Sequence, residues 1–234
     1  MTRRSDDRSR PEEGARDLPR PRDMPPPREA DGAAAPAMRR IFDWPYRAIL
    51  AGVVALRISP MQLTLLGLVT NVVIGWLLIR GDALVAGLLL IPAGLFDVLD
   101  GAVARLRGTA SRFGAFTDAV LDRVSDMILF GCTFWMLSGQ GEQLEAALAL
   151  ATLVISLMVS EIRAEAEAAG VALSEGLFQR LERYLAMFVG LTVPGMMLPM
   201  LLLLTVLGGF TVLQRAWNAL TRASRPPLPR AEGS

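Results

Sequence analysis

Apolar and polar positions along the chain alternate in long blocks rather than at the short period of a soluble fold. Between residues 60 and 222 six apolar segments follow one another, near 60–79, 83–106, 112–137, 144–169, 177–197 and 199–222. Each is close to the length needed to cross a bilayer, and a segment crossing lipid must satisfy its own backbone hydrogen bonds, so each is predicted to be a helix. Val193-Pro194-Gly195 and Pro199 mark the last turn, although the apolar run from Met196 to Leu204 leaves that boundary free to shift. Ahead of these segments, Arg39, Arg40, Ile41, Phe42, Trp44, Tyr46, Arg47, Ile49 and Leu50 interleave basic with aromatic and aliphatic residues. Residues 39–57 therefore read as an interfacial amphipathic helix with Trp44 and Tyr46 at headgroup level. Pro45 and the Arg57 to Pro60 stretch are expected to set it apart as an element. Residues 1–38 mix Arg, Asp, Glu, Pro and Ala without an apolar run, the composition of a disordered tail. They lack the apolar core of a secretory signal and are expected to stay attached on the cytoplasmic side. The expected organisation is that tail, the juxtamembrane helix, an all-α integral membrane domain of six transmembrane helices over 58–224, and a short tail over 225–234.

Composition narrows the chemistry. Hydrophobic residues make up 52% of the 234 residues, too many for a chain with so polar an N-terminus unless the remainder lies in lipid. All 24 basic residues are arginine and histidine is absent, so a catalytic base or metal ligand here is expected to be a carboxylate. The one cysteine, Cys132, excludes an intrachain disulfide and is expected to pack. The turn region after the second segment carries Arg105, Arg107 and Arg112; the fourth-to-fifth region carries Arg163, Arg180 and Arg183; the C-terminal region carries Arg215, Arg222, Arg225 and Arg230. The alternate turns carry Arg80 with Asp82, then Glu142 and Glu145, then no charge. Positive-inside asymmetry predicts both termini on the cytoplasmic side of the cell membrane, in agreement with an even number of spans. No nucleic-acid partner is expected.

Four acids interrupt the second and third apolar segments. Ala83 to Phe96 is only 14 residues, about 21 Å of helix against a hydrocarbon core of about 30 Å, so Asp97 and Asp100 enter the cytoplasmic part of the span. Asp97 and Asp100 lie 14 and 17 residues beyond Ala83, while Asp122 and Asp118 lie 15 and 19 residues before Leu137. An antiparallel hairpin would set Asp97 level with Asp122 and Asp100 level with Asp118. Steps of three and four place each pair on one helical face, with the small residues Gly101, Ala104 and Gly114 allowing close approach. Carboxylates gathered at one depth repel one another unless cations compensate them. An all-oxygen cluster suits Mg²⁺ or Mn²⁺, and two ions would stabilise an in-line displacement at phosphorus. An ion or proton pathway, as in a carboxylate-lined cation transporter, is the competing reading of charge and spacing alone. Asp126 continues the face by one more turn with Arg123 beside it, as a supporting acid or half of a structural ion pair.

The spacing of Asp97, Asp100, Gly101, Ala104, Arg105, Gly114, Asp118 and Asp122 matches the signature of the CDP-alcohol phosphotransferase family of integral membrane enzymes at every position. Ser59-Pro60-Met61-Gln62-Leu63-Thr64 resembles the Pro-Asn-x-x-Thr opening of that family's first helix, with Met61 in place of Asn. The resemblance implies six transmembrane helices, a homodimer, and transfer of a phosphatidyl group from a CDP-diacylglycerol-type lipid to an alcohol with release of CMP. By motif position it implies Asp97, Asp100, Asp118 and Asp122 as ligands of Mg²⁺ or Mn²⁺, with two ions expected, and Asp122 also as general base. Gly101, Ala104, Arg105, Gly114 and Thr64 would line the cytidine diphosphate site. A weakly nucleophilic hydroxyl needs a base, and without histidine a carboxylate is the available one.

Arg163, Arg180, Arg183 and Arg215 fall toward the cytoplasmic ends of the last three helices and suit bidentate phosphate recognition, so an acceptor bearing its own phosphate is expected. The alternative is that they serve as topological anchors. Within the family this pattern is similar to phosphatidylinositol-phosphate synthases, with Arg163 where those enzymes usually carry lysine and Glu165 where they usually carry arginine. Inositol phosphate is the first-choice acceptor, glycerol 3-phosphate the leading rival, and free inositol or serine further candidates.

Overall fold

The computed structural model of the chain describes residues 20–25, 35–109, 111–169 and 180–223. Among them are seven α-helices and no strand: α1 (Ala35–Ala55), α2 (Pro60–Arg80), α3 (Ala83–Leu106), α4 (Arg112–Gln140), α5 (Gln143–Ala168), α6 (Arg180–Thr192) and α7 (Met197–Ala223). The chain divides into two compact units, Met1–Ser59 and Pro60–Ser234.

In the first unit a 3-10 turn, Pro21–Asp23, precedes α1. Arg47 Nη1 donates to Met24 O at 2.9 Å. The helix runs through Pro45; a proline removes one backbone hydrogen bond, and the flanking turns carry α1 across that loss. Its bounds differ from the expected 39–57, and Tyr46 is buried whereas Trp44 is exposed, so the two aromatics do not share one environment. The helix closes at Arg57, which has φ 56°, with Arg57 N donating to Val54 O and Ile58 N to Val53 O. That Schellman closure normally uses glycine, because a side chain is disfavoured in the left-handed region. The expected tail over 1–38 falls largely outside the described residues, as does 225–234.

In the second unit the expected segments map closely onto α2 to α7. Helix α2 starts on Pro60, whose missing N–H costs nothing in a first turn. The same Schellman bonding ends α2 at Gly81 and α4 at Gly141. Helix α7 begins at Met197, before Pro199, because a proline within the first turn interrupts no intrahelical bond. Residues 177–179 of the expected fifth segment lie outside the described residues. Helices α2, α3, α5 and α7 are each long and apolar enough to cross a membrane. Helix α4 is long, but Arg112, Asp118, Asp122, Arg123 and Asp126 crowd its first half; α6 is described over 13 residues.

The six helices pack in a closed circuit, α2 on α3, α3 on α6, α6 on α7, α7 on α5, α5 on α4, and α4 back on α2. Ile74, Leu78, Leu90, Leu129, Phe130, Met187, Leu201 and Leu204 fill the core. Leu65, Val69, Trp76, Leu88, Ile91, Trp135, Val206 and Phe210 are exposed, an apolar outer surface that belongs in lipid. Lipid tails are as apolar as leucine, so close packing must supply the cohesion, and two glycines permit it. A Cβ on Gly75 would stand 2.6 Å from Ile128 Cγ2 and 3.0 Å from Cys132 Sγ, where α2 meets α4. One on Gly87 would stand 2.8 Å from Thr192 Cγ2, where α3 meets α6. Cys132 packs at that first contact, as expected.

The consecutive helices α3 and α4 do not pack directly on each other; both lean on α2, and a gap separates them. Four carboxylates on facing sides exclude direct apolar packing there.

Candidate active site in the gap between α3 and α4

The gap is lined by Asp97 and Asp100 from α3, Asp118, Leu121, Asp122 and Ser125 from α4, Thr64, Gly67 and Leu68 from α2, and Arg180 from α6. Each carboxylate is placed by local structure. Asp97 and Asp100 sit three apart on α3. Ser111 caps α4, its hydroxyl accepting from Gly114 N at 3.0 Å, which sets the start of the helix that carries Asp118 and Asp122.

Asp97, Asp100 and Asp118 converge, each offering a carboxylate oxygen within 4.8 Å of the others. Thr64 Oγ1 donates to Asp100 Oδ2 at 2.8 Å and orients the more buried acid. Asp122 stands beside this group, and Arg180 Nη1 bridges Asp122 Oδ1 to Asp97 Oδ1. Asp97 and Asp122 are thus level across the gap, as the residue count predicts. Three converging oxygen donors with no nitrogen or sulfur fit a hard divalent cation of the Mg²⁺ or Mn²⁺ class. One guanidinium against four carboxylates also leaves negative charge for such an ion to neutralise.

Arg105 folds back over Gly101, its Nη1 lying 3.3 Å from where a Cβ on that glycine would be. Ala104 is half-buried on the same helix, and Gly114 is exposed at the start of α4. Arg163 of α5 and Arg183 of α6 both lie close enough to Arg215 of α7 to act on its charge. Within that cluster Arg163 pairs with Glu167 at 2.9 Å, and Arg215 Nη1 donates to Val159 O at 3.0 Å. Arg183 Nη2 donates to Asp126 Oδ2 at 2.8 Å, and Ser156 Oγ donates to the same oxygen at 2.5 Å. Asp126 therefore does form an ion pair, with Arg183 rather than Arg123, which instead faces Glu161 at 3.6 Å. Asn71, Tyr184 and Ser156 join these bonds without belonging to any sequence motif. Asn71 had a signal, a carboxamide in mid-span of an apolar helix.

A bundle of apolar helices enclosing a carboxylate-lined gap, with arginines clustered on its last three helices, defines a membrane protein built for oxygen-ligated cations and anionic substrates. Residues 57–218 match the CDP-alcohol phosphatidyltransferase family, and the chain belongs to that family of transferases. It is 36% identical over 185 residues to the phosphatidylinositol phosphate synthase of Corynebacterium glutamicum, covering 76% of this chain and 83% of that protein. It is 32% identical over 180 residues to the archaetidylinositol phosphate synthase of Pyrococcus horikoshii, covering 76% and 92%. Among solved structures, the Mycobacterium tuberculosis phosphatidylinositol phosphate synthase with CDP-DAG bound superposes with a TM-score of 0.69 at 30% identity, over 77% of this chain and 97% of that one. The same enzyme in complex with manganese and citrate gives 0.69 at 30% identity, over 77% and 92%.

Proposed function

We propose that this chain transfers a phosphatidyl group from CDP-diacylglycerol to inositol phosphate and releases CMP. The observation that carries the reaction is the convergence of Asp97, Asp100 and Asp118 with Asp122 held level beside them. Asp97, Asp100, Asp118 and Asp122 would hold Mg²⁺ or Mn²⁺, two ions in this reading. When bound, these supply polarisation of the phosphoryl oxygens and neutralise charge on the departing CMP. Asp122 takes the proton of the acceptor hydroxyl, and the acceptor oxygen forms the new bond to the β-phosphorus, the phosphatidyl phosphate, as the bond to CMP breaks. Gly101, Ala104, Arg105, Gly114 and Thr64 form the donor side, where absent or small side chains leave room for the nucleotide. Thr64 acts there by orienting Asp100.

The acceptor assignment is supported by the arginines. Arg163 and Arg183 lie close to Arg215, and a phosphate suits such a cluster even though Arg163 and Arg183 also pair with Glu167 and Asp126. Arg180 joins them to the carboxylate gap. The named activity of the bacterial relatives points to inositol phosphate as that anion.

Around this site we place six transmembrane helices, α2 to α7, with α4 and α6 as the two less apolar spans. The domain covers 58–224, an amphipathic helix over 39–57 lies at the interface, and the tails over 1–38 and 225–234 and the active site are cytoplasmic. A homodimer in the cell membrane completes the assembly.

The test is release of CMP by purified protein from CDP-diacylglycerol with Mg²⁺ or Mn²⁺, over inositol phosphate, glycerol 3-phosphate, free inositol and serine. Fastest turnover with inositol phosphate is expected. A preference for glycerol 3-phosphate would reassign the acceptor, and no release with any alcohol, with metal flux into liposomes instead, would replace the enzyme with a transporter.

A further inference from the structure

Asn71 lies in the middle of α2 and is 1% exposed, in a stretch whose only other polar side chain from Leu65 to Leu78 is Thr70. Its Nδ2 donates to Gly67 O at 2.9 Å. With the amide nitrogen committed there, Oδ1 is turned the other way and accepts from Tyr184 Oη on α6 at 2.9 Å. The tyrosine proton is therefore spent on Asn71, and the lone pairs of Oη face Arg180, whose Nη2 donates to it at 3.3 Å. The same guanidinium lies 5.2 Å from the centroid of the Tyr184 ring. Its other terminal nitrogen bridges Asp97 and Asp122.

Donation therefore runs outward from Arg180 on both sides, through Tyr184 and Asn71 to a backbone carbonyl of α2 and directly to the two carboxylates. Helices α2 and α6 do not pack on each other, so side chains alone link them. Leucine and phenylalanine would fill the same volume without burying a carboxamide and a phenol. We propose that Asn71 and Tyr184 are positioning residues for the transfer reaction, acting through Arg180 to hold its guanidinium at the carboxylate gap. The inference rests on the place of Arg180 in the acceptor site proposed above.

The test is a double-mutant cycle on the purified full chain with Tyr184→Phe, Arg180→Ala and both together, reading kcat and the KM of donor and acceptor, with thermal unfolding as a control. Tyr184→Phe keeps the ring and its packing. It should raise acceptor KM about five- to tenfold, the size of one ordinary hydrogen bond, and leave donor KM within about twofold. In the Arg180→Ala background the same substitution should change nothing further. Asn71→Leu should shift acceptor KM in the same direction by less; should it fail to fold, the cycle on Tyr184 decides alone. Equal effects in both backgrounds, equal effects on both KM values, or wild-type kinetics in Tyr184→Phe would each overturn the relay. A wild-type acceptor KM in Arg180→Ala would overturn it together with the acceptor role of Arg180. Failure of the proposed reaction itself would show earlier, as no CMP release by the unmutated chain with any alcohol.

Discussion

Arg183 on α6 reaches Asp126 on α4 at 2.8 Å although these two helices do not pack on each other, and both side chains are buried. One turn earlier Arg180 makes the parallel connection to Asp122. Two arginine rungs thus cross the interior of the circuit, one in the active-site gap and one sealed behind it with Ser156.

Whatever Arg183 contributes to the acceptor site, its rung with Asp126 should also stabilise the fold. Arg183→Ala leaves Asp126 as a buried acid beside Ser156, and should cost about 3–5 kcal/mol. Unfolding of the detergent-solubilised protein would measure it. Replacing both residues with apolar ones of similar volume, Asp126→Leu with Arg183→Met, should recover most of the loss. A double variant as unstable as the single one would show that the pair contributes beyond charge compensation.

Asp122→Asn should fold normally and lose turnover, because the amide keeps the shape but cannot take the acceptor proton. Wild-type CMP release by this variant would remove Asp122 as base.

Chelation should abolish CMP release and Mg²⁺ or Mn²⁺ should restore it. Thr64→Val removes the hydroxyl that orients Asp100, so the metal concentration for half-maximal rate should rise by about tenfold or more. An unchanged metal requirement would leave Thr64 with packing alone.

Gly75→Ala should destabilise the bundle by about 1–3 kcal/mol, because the added methyl meets Ile128 and Cys132 at the α2–α4 contact. Gly131→Ala, with open space around its Cβ position, should be tolerated. Comparing the two unfolding temperatures checks the contact.

The helices were largely legible in the sequence because punctuation and hydrophobicity agree there. The segment expected at 83–106 is α3 to the residue, bracketed by Gly81 and Asp82 on one side and by Arg107 and Gly108 on the other. The level placement of Asp97 and Asp122 followed from residue counting, since helical rise is constant. Adjacency was less legible, because it depends on side-chain volume at contacts far apart in sequence. The small residues singled out were Gly101, Ala104 and Gly114, yet the closest approaches use Gly75 and Gly87. Proximity along the chain also misled: Arg123 is three residues from Asp126 but turns to α5, while the partner of Asp126 is 57 residues away.

Both carboxylate helices lean on α2 rather than on each other, so the width of the gap is written in neither of them. It is written in α2, where Gly67 faces Phe96 of α3 and Gly75 faces Ile128 and Cys132 of α4. This helix acts as a spacer bar: a methyl added or removed on either flank would change the distance between the aspartate pairs with every aspartate left in place. Adaptation to a different ion radius or a bulkier acceptor therefore has a route through residues that are neither carboxylates nor arginines.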